Sequence, residues 1–168
     1  MSWESLADYS IVKPEYHLME RAFDDYKGNT HPAGPEPKNH CAIRMSLALG
    51  RCGFSFHAFP DQHRVLKHLH HLPFPVVMGA RELANYLRML WGRGEVFKTH
   101  MGTIASRLNG RKGIVFFENC SKPGDHIDLW NGTKYYNDII KVPAHVGDRI
   151  PNTHLFNNSD QVWFFALD

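Results

Sequence analysis

The stretch Gly124-Asp125-His126-Ile127-Asp128-Leu129-Trp130-Asn131-Gly132 decides the class of fold. Polar and apolar residues alternate from Asp125 to Trp130, the period of a β-strand with one face buried. His126, Asp128 and Trp130 therefore share one face of that strand, and Ile127 and Leu129 the other. Asn131-Gly132 is the strongest short hairpin-turn signal, and Tyr135 to Val142 can supply the returning strand. Upstream, Gly113-Ile114-Val115-Phe116-Phe117 is a short apolar run of buried-strand type, and Val162 to Leu167 supplies a last strand.

Ahead of these strands the periodicity is helical. Leu18, Met19, Ala22, Phe23 and Tyr26 recur at helical spacing after Pro14, with Gly28 as the stop. Thr30 to Lys38 holds three prolines and a glycine and reads as extended loop. A second helix runs from Asn39 or His40 to Cys52, with Asn39 as N-cap, Cys41 in the first turn and Gly53 as terminator. Its Ala42, Met45 and Leu49 share a face. Residues 54–75 are aromatic, histidine-rich and without a readable period. Ala80, Leu83, Ala84, Leu87 and Leu90 then mark a third helix, ended at Gly92-Arg93-Gly94. Helices first and strands later predict an α+β fold with an antiparallel sheet, as a single domain over 1–168.

Composition removes several classes of function. The 168 residues are 43% apolar and 21% charged, with 19 basic against 17 acidic side chains and a net charge of +2. A nucleic-acid binder that neutralises phosphates needs a clustered basic stripe, so nucleic acid is not expected as a partner. The longest wholly apolar run is Val162 to Leu167, far short of the roughly 20 residues that span a bilayer, so membrane insertion is not expected either. The N-terminal Met1-Ser2-Trp3-Glu4-Ser5 has neither a basic flank nor an apolar core, hence no secretory signal is expected. Three cysteines are too few for a disulfide scaffold and leave at least one thiol over within the chain.

That spare thiol carries the functional reading. A cysteine in the first turn of a helix sits at the positive end of the helix dipole, which favours thiolate, the nucleophilic form. The bland alternative is a small buried apolar residue, as most free cysteines are. His126, on the polar face of its strand, is suited to take a thiol proton and return it to a leaving amine; a solvated surface imidazole is the alternative, and the chain has 12 histidines. Asp138 lies across the Asn131-Gly132 turn, where a returning strand passes His126, in the position of a group that orients the imidazole.

The segments Asn39-His-Cys-Ala-Ile-Arg-Met-Ser-Leu-Ala-Leu49 and Gly124 to Gly132 together resemble the fourth class of type VI secretion amidase effectors, antibacterial peptidoglycan amidases. Looser similarity extends through Gly113 to Cys120 and the aromatic C-terminal strand. The resemblance implies a papain-like NlpC/P60-type fold, with an N-terminal catalytic helix packed on a C-terminal antiparallel sheet. It implies Cys41 as nucleophile, His126 as general base and Asp138 as third member. Asn137, one register position away, and Asp128, on the same strand as His126, stay as rivals for that third role. The implied reaction is acyl transfer at the amide between the γ-carboxyl of D-glutamate and meso-diaminopimelate in a peptidoglycan stem peptide, with no cofactor. Arg44, one turn from Cys41, can meet a substrate carboxylate, or can be an ordinary helix-surface arginine. Asp128 and Trp130 share the His126 face and are placed with Arg44 among the groove residues.

The family implies further partners: the type VI secretion machinery, and a periplasmic immunity protein that occludes the cleft. It also implies a route, from synthesis in the bacterial cytoplasm to action in the target cell's periplasm. Two rival functions stand beside it. One is another papain-like cysteine hydrolase, a deamidase or transglutaminase-like enzyme. The other is a non-catalytic module binding metal through His57, His63, His68, His70 and His71. That cluster lacks His-Glu-x-x-His and Cys-x-x-Cys spacing, so a histidine-rich surface is the expectation and no metal site is assigned. Cys52 and Cys120 are expected as reduced, partly buried thiols, with pairing in an oxidising periplasm as the alternative.

Overall fold

Pro14 stands just ahead of helix α1 (Tyr16–Asp24), whose Tyr16, Met19, Ala22 and Phe23 are buried on one face. Leu18, expected in that stripe, points away from it and is exposed. The computed structural model describes residues 12–25, 40–66, 72–98, 104–121, 124–135 and 154–167, so Tyr26, Gly28, the proline-rich loop and the Asn39 cap lie outside the described residues.

Helix α2 (His40–Arg51) has Cys41 in its first turn, and its nine residues from Cys41 to Leu49 are all buried. It ends where Gly53 predicts. Gly53 takes φ +82°, its N–H donates to Gly50 O at 2.9 Å, and the Phe54 N–H donates to Leu49 O at 2.9 Å. This pair of bonds is the Schellman arrangement, which requires a left-handed residue at the position Gly53 fills.

A helix buried on most of its circumference needs more than one covering layer. Ala42, Met45, Ala48 and Leu49 join the main core with α1, with helix α3 (Ala80–Trp91) and with one face of the large sheet. Ile43 and Leu47 turn the other way, into a small cluster with Val76, Leu66, Leu72 and Phe74. That second cover comes from the stretch that carries no readable period. Strands β1 (Val65–Leu66) and β2 (Val76–Val77) pair antiparallel, Val65 opposite Val77. The backbone N–H of Val77 donates to Ser46 Oγ at 3.0 Å, tying α2 to β2 through a fully buried hydroxyl. Nearby, Phe54, Phe56 and Phe59 surround the ring of Tyr86 on α3. Two-residue strands and single aromatic contacts are too short to leave a repeat in the sequence.

The large sheet is antiparallel throughout, in the order β3 (Glu95–Lys98), β6 (Gln161–Ala166), β4 (Gly113–Ser121), β5 (Gly124–Trp130). The strands expected from Gly113, Asp125 and Val162 all form, while β3 is an addition that the sequence reading did not anticipate. Asn131-Gly132 makes its turn, with Asn131 Oδ1 accepting from the N–H groups of Thr133 and Lys134. Of the proposed returning strand only Tyr135 is described, in a single antiparallel bridge to Trp130; residues 136–142 lie outside the described residues.

One expectation for β5 is corrected. Its alternation predicts one buried and one wet face, yet Ile127, Asp128, Leu129 and Trp130 are all buried. Helices α4 (Ile104–Arg107) and α5 (His154–Asn158) belong to a second layer, whose Leu108, Leu155 and Phe156 cover Val115, Phe117, Trp130 and Phe164. Asp128 thus faces an interior where the pattern alone suggested solvent.

Replacing Ser46 with alanine leaves the Val77 N–H buried without its acceptor, a cost of about 1–3 kcal/mol. The expected result is a lower urea midpoint with an unchanged m-value, read by circular dichroism. Wild-type stability in Ser46→Ala contradicts this account of how α2 is held.

Candidate active site

The site forms where α2 packs against β5. Cys41 and Arg44 stand one helical turn apart, three residues, and so project from the same side of α2. Strand alternation presents His126 and Asp128 on one face of β5. His126 pairs directly with Phe117 of β4, their rings stacked at 27° with centroids 6.2 Å apart. His126 is the last of the continuous pairs before the β4–β5 register shifts.

His126 Nε2 lies 3.2 Å from Asp128 Oδ2. The other carboxylate oxygen of Asp128 accepts from the Leu129 N–H at 2.7 Å. The Cys41 side chain hydrogen-bonds the same imidazole. Burial alone would push His126 down, because it penalises the charged ring. The hydrogen bonds to Asp128 and Cys41 and the charges on both override it and hold the imidazole at about 10. His126 is therefore imidazolium through the neutral pH range, set between a thiol and a carboxylate.

Arg44 is 4% exposed and Asp128 0%. Burial pushes the Arg44 guanidinium down, and the charges of Asp128 and Cys41 oppose that. Beneath Asp128 lies an aromatic floor: Trp130, Tyr135, Phe117 and Phe156 pack ring against ring at centroid separations of 5.2–5.4 Å. Trp130 Nε1 donates to Leu108 O at 3.0 Å. Burial raises the Tyr135 phenol, and the negative charge of Asp128 adds to that.

These positions sort the expected site residues. Cys41, His126 and Asp128 come together, with Arg44 beside them. Asp138 and Asn137 lie outside the described residues. Arg44, Asp128 and Trp130 are the residues expected to line the groove. All three are enclosed, Trp130 at 2% exposure, because α2 and the second layer cover the face that alternation marked as wet. Among the described residues no disulfide joins Cys41, Cys52 or Cys120; Cys52 packs on the main core and Cys120 lies in the second cluster. His57 and His63 are exposed, while His68, His70 and His71 lie outside the described residues. Among the described residues no group of three or more His, Cys, Asp or Glu is arranged to hold a metal ion. In that same set no helix is long and apolar enough to cross a membrane.

A thiol in the first turn of a buried helix, set against an imidazole on an antiparallel sheet, fits the class that the family resemblance implies, an α+β protein of papain-like NlpC/P60-type fold. The family model for type VI secretion system (T6SS), amidase effector protein 4 (Tae4), matches residues 38–165, and the chain belongs to that family. Solved structures agree in fold. The Tae4–Tai4 effector–immunity complex from Salmonella Typhimurium gives a TM-score of 0.69 at 17% identity, covering 94% of this chain and 100% of that one. The corresponding complex from Enterobacter cloacae gives 0.67 at 17% identity, with the same coverage. Tae4 from Enterobacter cloacae alone gives 0.67 at 17%, over 94% of this chain and 98% of that one. Among curated proteins no significant match is found.

The geometry makes a measurable claim about His126. Removing the Asp128 charge takes away an interaction that raises the imidazole and leaves the burial that lowers it. In Asp128→Asn the His126 ring should titrate well below about 10, as read from its carbon-bound proton resonances across pH. The stability contributed by that raised value is complete below the ordinary histidine range and disappears as pH rises through about 10. Asp128→Asn should therefore narrow the stability gap to wild type at high pH. An unmoved titration in the variant would show that Asp128 does not hold the ring.

Proposed function

We propose that this member of the amidase effector family hydrolyses the amide between the γ-carboxyl of D-glutamate and meso-diaminopimelate in peptidoglycan stem peptides. The observation that carries the proposal is the Cys41 thiol in the first turn of α2, hydrogen-bonded to a half-buried His126 whose Nε2 also meets Asp128.

The chemistry follows from that order of groups. In this reading the proton of Cys41 already rests on His126, and the sulfur attacks the carbonyl carbon. Charge that develops on the carbonyl oxygen is met by the backbone N–H of Cys41 and a second donor. The imidazolium then returns its proton to the departing amine of diaminopimelate, leaving a thioester on Cys41. Water, deprotonated by the same imidazole, releases the glutamyl carboxylate and restores the thiol. Asp128 keeps His126 in one orientation and supports its charged form. In this reading Arg44 balances the carboxylate of Asp128 rather than contacting a substrate carboxylate. Asp138, the third member implied by the family resemblance, is the rival for the orienting role. We further infer a periplasmic site of action after delivery by the secretion apparatus. An immunity protein that covers the cleft is the inferred partner, since the related Salmonella and Enterobacter effectors are solved bound to Tai4.

Mass spectrometry of purified peptidoglycan tests bond, nucleophile and orienting group together. Wild type should liberate the diaminopimelate amine, and Cys41→Ala and His126→Ala should release none while remaining folded. Orienting carboxylates in such sites are worth up to about 10⁴-fold in turnover, so Asp128→Asn should slow cleavage strongly and Asp138→Asn much less. The reverse ranking transfers the third role to Asp138. Cleavage by Cys41→Ala, or activity that requires a metal, rules out the thiol mechanism. Deamidation of protein glutamines without a new diaminopimelate amine makes the chain a different cysteine hydrolase.

A further inference from the structure

The hairpin that carries His126 becomes irregular just beyond it. β4 and β5 pair from Gly113 with Trp130 to Phe117 with His126, and the next pair is Ser121 with Gly124. Between them Glu118, Asn119 and Cys120 of β4 stand opposite Asp125 alone. Asn119 takes φ +51°, a left-handed conformation uncommon outside glycine. A bulge of this kind interrupts the ladder and re-aims neighbouring side chains. The regular pairing that runs through Leu129, Asp128 and Ile127 therefore ends at His126.

One side chain bridges the gap. Arg81, in the first turn of α3, donates from Nε to Asp125 Oδ2 at 2.7 Å and from Nη2 to Asp125 Oδ1 at 2.9 Å. Its Nη2 also reaches Asn119 Oδ1 at 3.3 Å, and its Nη1 lies 3.2 Å from Glu118 Oε1. Asp125 Oδ1 in turn accepts from the Asn119 N–H at 2.9 Å. The knot continues to the residue just before β6: Asn119 Nδ2 donates to Asp160 Oδ2 at 2.6 Å, and the Asp160 N–H to Glu118 O at 2.9 Å. A single guanidinium thus uses all three of its nitrogens on both strands of the bulge.

We propose that Arg81 is a positioning residue, which grips Asp125 and the β4 bulge so that the adjacent His126 stays aimed at Cys41. The proposal rests on the Cys41–His126 reading above. An isolated exposed ion pair contributes little, and Arg81 is 45% exposed. This arrangement differs in being bidentate and in replacing ladder bonds that the bulge removes. A planar fork is needed to span Glu118, Asn119 and Asp125 together, and a lysine ammonium cannot supply it. The groups that set the titration of His126 itself are Asp128 on its own strand and Cys41 on α2, with Arg44 coupled to both.

The test uses the full chain as wild type, Arg81→Gln, Arg81→Lys, Asp125→Asn and His126→Ala. Iodoacetamide alkylation of Cys41 is followed across pH, with His126 titrated by NMR and the urea midpoint measured in each variant. Misplacing a catalytic group by about 1 Å can cost about a hundredfold. Arg81→Gln should therefore slow alkylation at neutral pH by roughly tenfold or more and move the His126 titration toward the ordinary histidine range. Arg81→Lys should fail to restore either property although it keeps the charge. Asp125→Asn, which removes the bidentate acceptor at constant size, should reproduce the defect and serves if Arg81→Gln does not fold. A lower urea midpoint with unchanged alkylation and titration would overturn the proposal and leave Arg81 a purely structural brace. If His126→Ala itself leaves the alkylation profile unchanged, the Cys41–His126 reading fails first, which separates the two failures.

Discussion

A helix enclosed along most of its length has no freedom in where its first turn sits, and α2 is such a helix. Cys41 to Leu49 are buried without interruption. The main core takes Ala42, Met45 and Leu49, the small cluster takes Ile43 and Leu47, and β5 receives the side that bears Cys41 and Arg44. Close packing resists displacement, because any shift opens voids or forces overlaps. A thiol at the start of a helix held in this way is placed by the whole interior rather than by its own loop. The buried hydroxyl of Ser46 adds a directional tie where packing alone is non-directional.

The same enclosure governs the electrostatics. Arg44, Asp128 and His126 are ionisable groups with little water around them. An isolated buried charge is costly, whereas charges of alternating sign in a low-dielectric site support one another. Asp128 between Arg44 and His126 gives that alternation, and the imidazolium next to Cys41 continues it. The fold thereby keeps the imidazole beside Cys41 in its charged form at neutral pH. The aromatic floor of Trp130, Tyr135, Phe117 and Phe156 keeps solvent from the far side of the carboxylate.

Legibility in the sequence followed the length scale of each device. Helix α3, with five apolar positions at regular spacing and a glycine stop, was readable as it stands. So was the end of α2 at Gly53, because a left-handed terminator is a local requirement. The cover over Ile43 and Leu47 was not, since it is built from two-residue strands whose partners lie about ten residues apart. The grip of Arg81 on Asp125 spans 44 positions, and neither residue carries a local mark. Asp128 illustrates a different failure. Alternation reports which face a side chain takes and not what covers that face.

Sequence alone determined the α+β order, the helix start that bears Cys41, the strand that bears His126 and the family resemblance, because each is written in short-range spacing and residue type. Only the tertiary structure decided that Asp128 meets His126, that Arg44 and Trp130 are enclosed, and that Arg81 closes the bulge beside the imidazole. Those outcomes depend on which distant layers pack together. Burial and pairing across elements arise from the simultaneous fit of the whole chain, a property that no local period encodes.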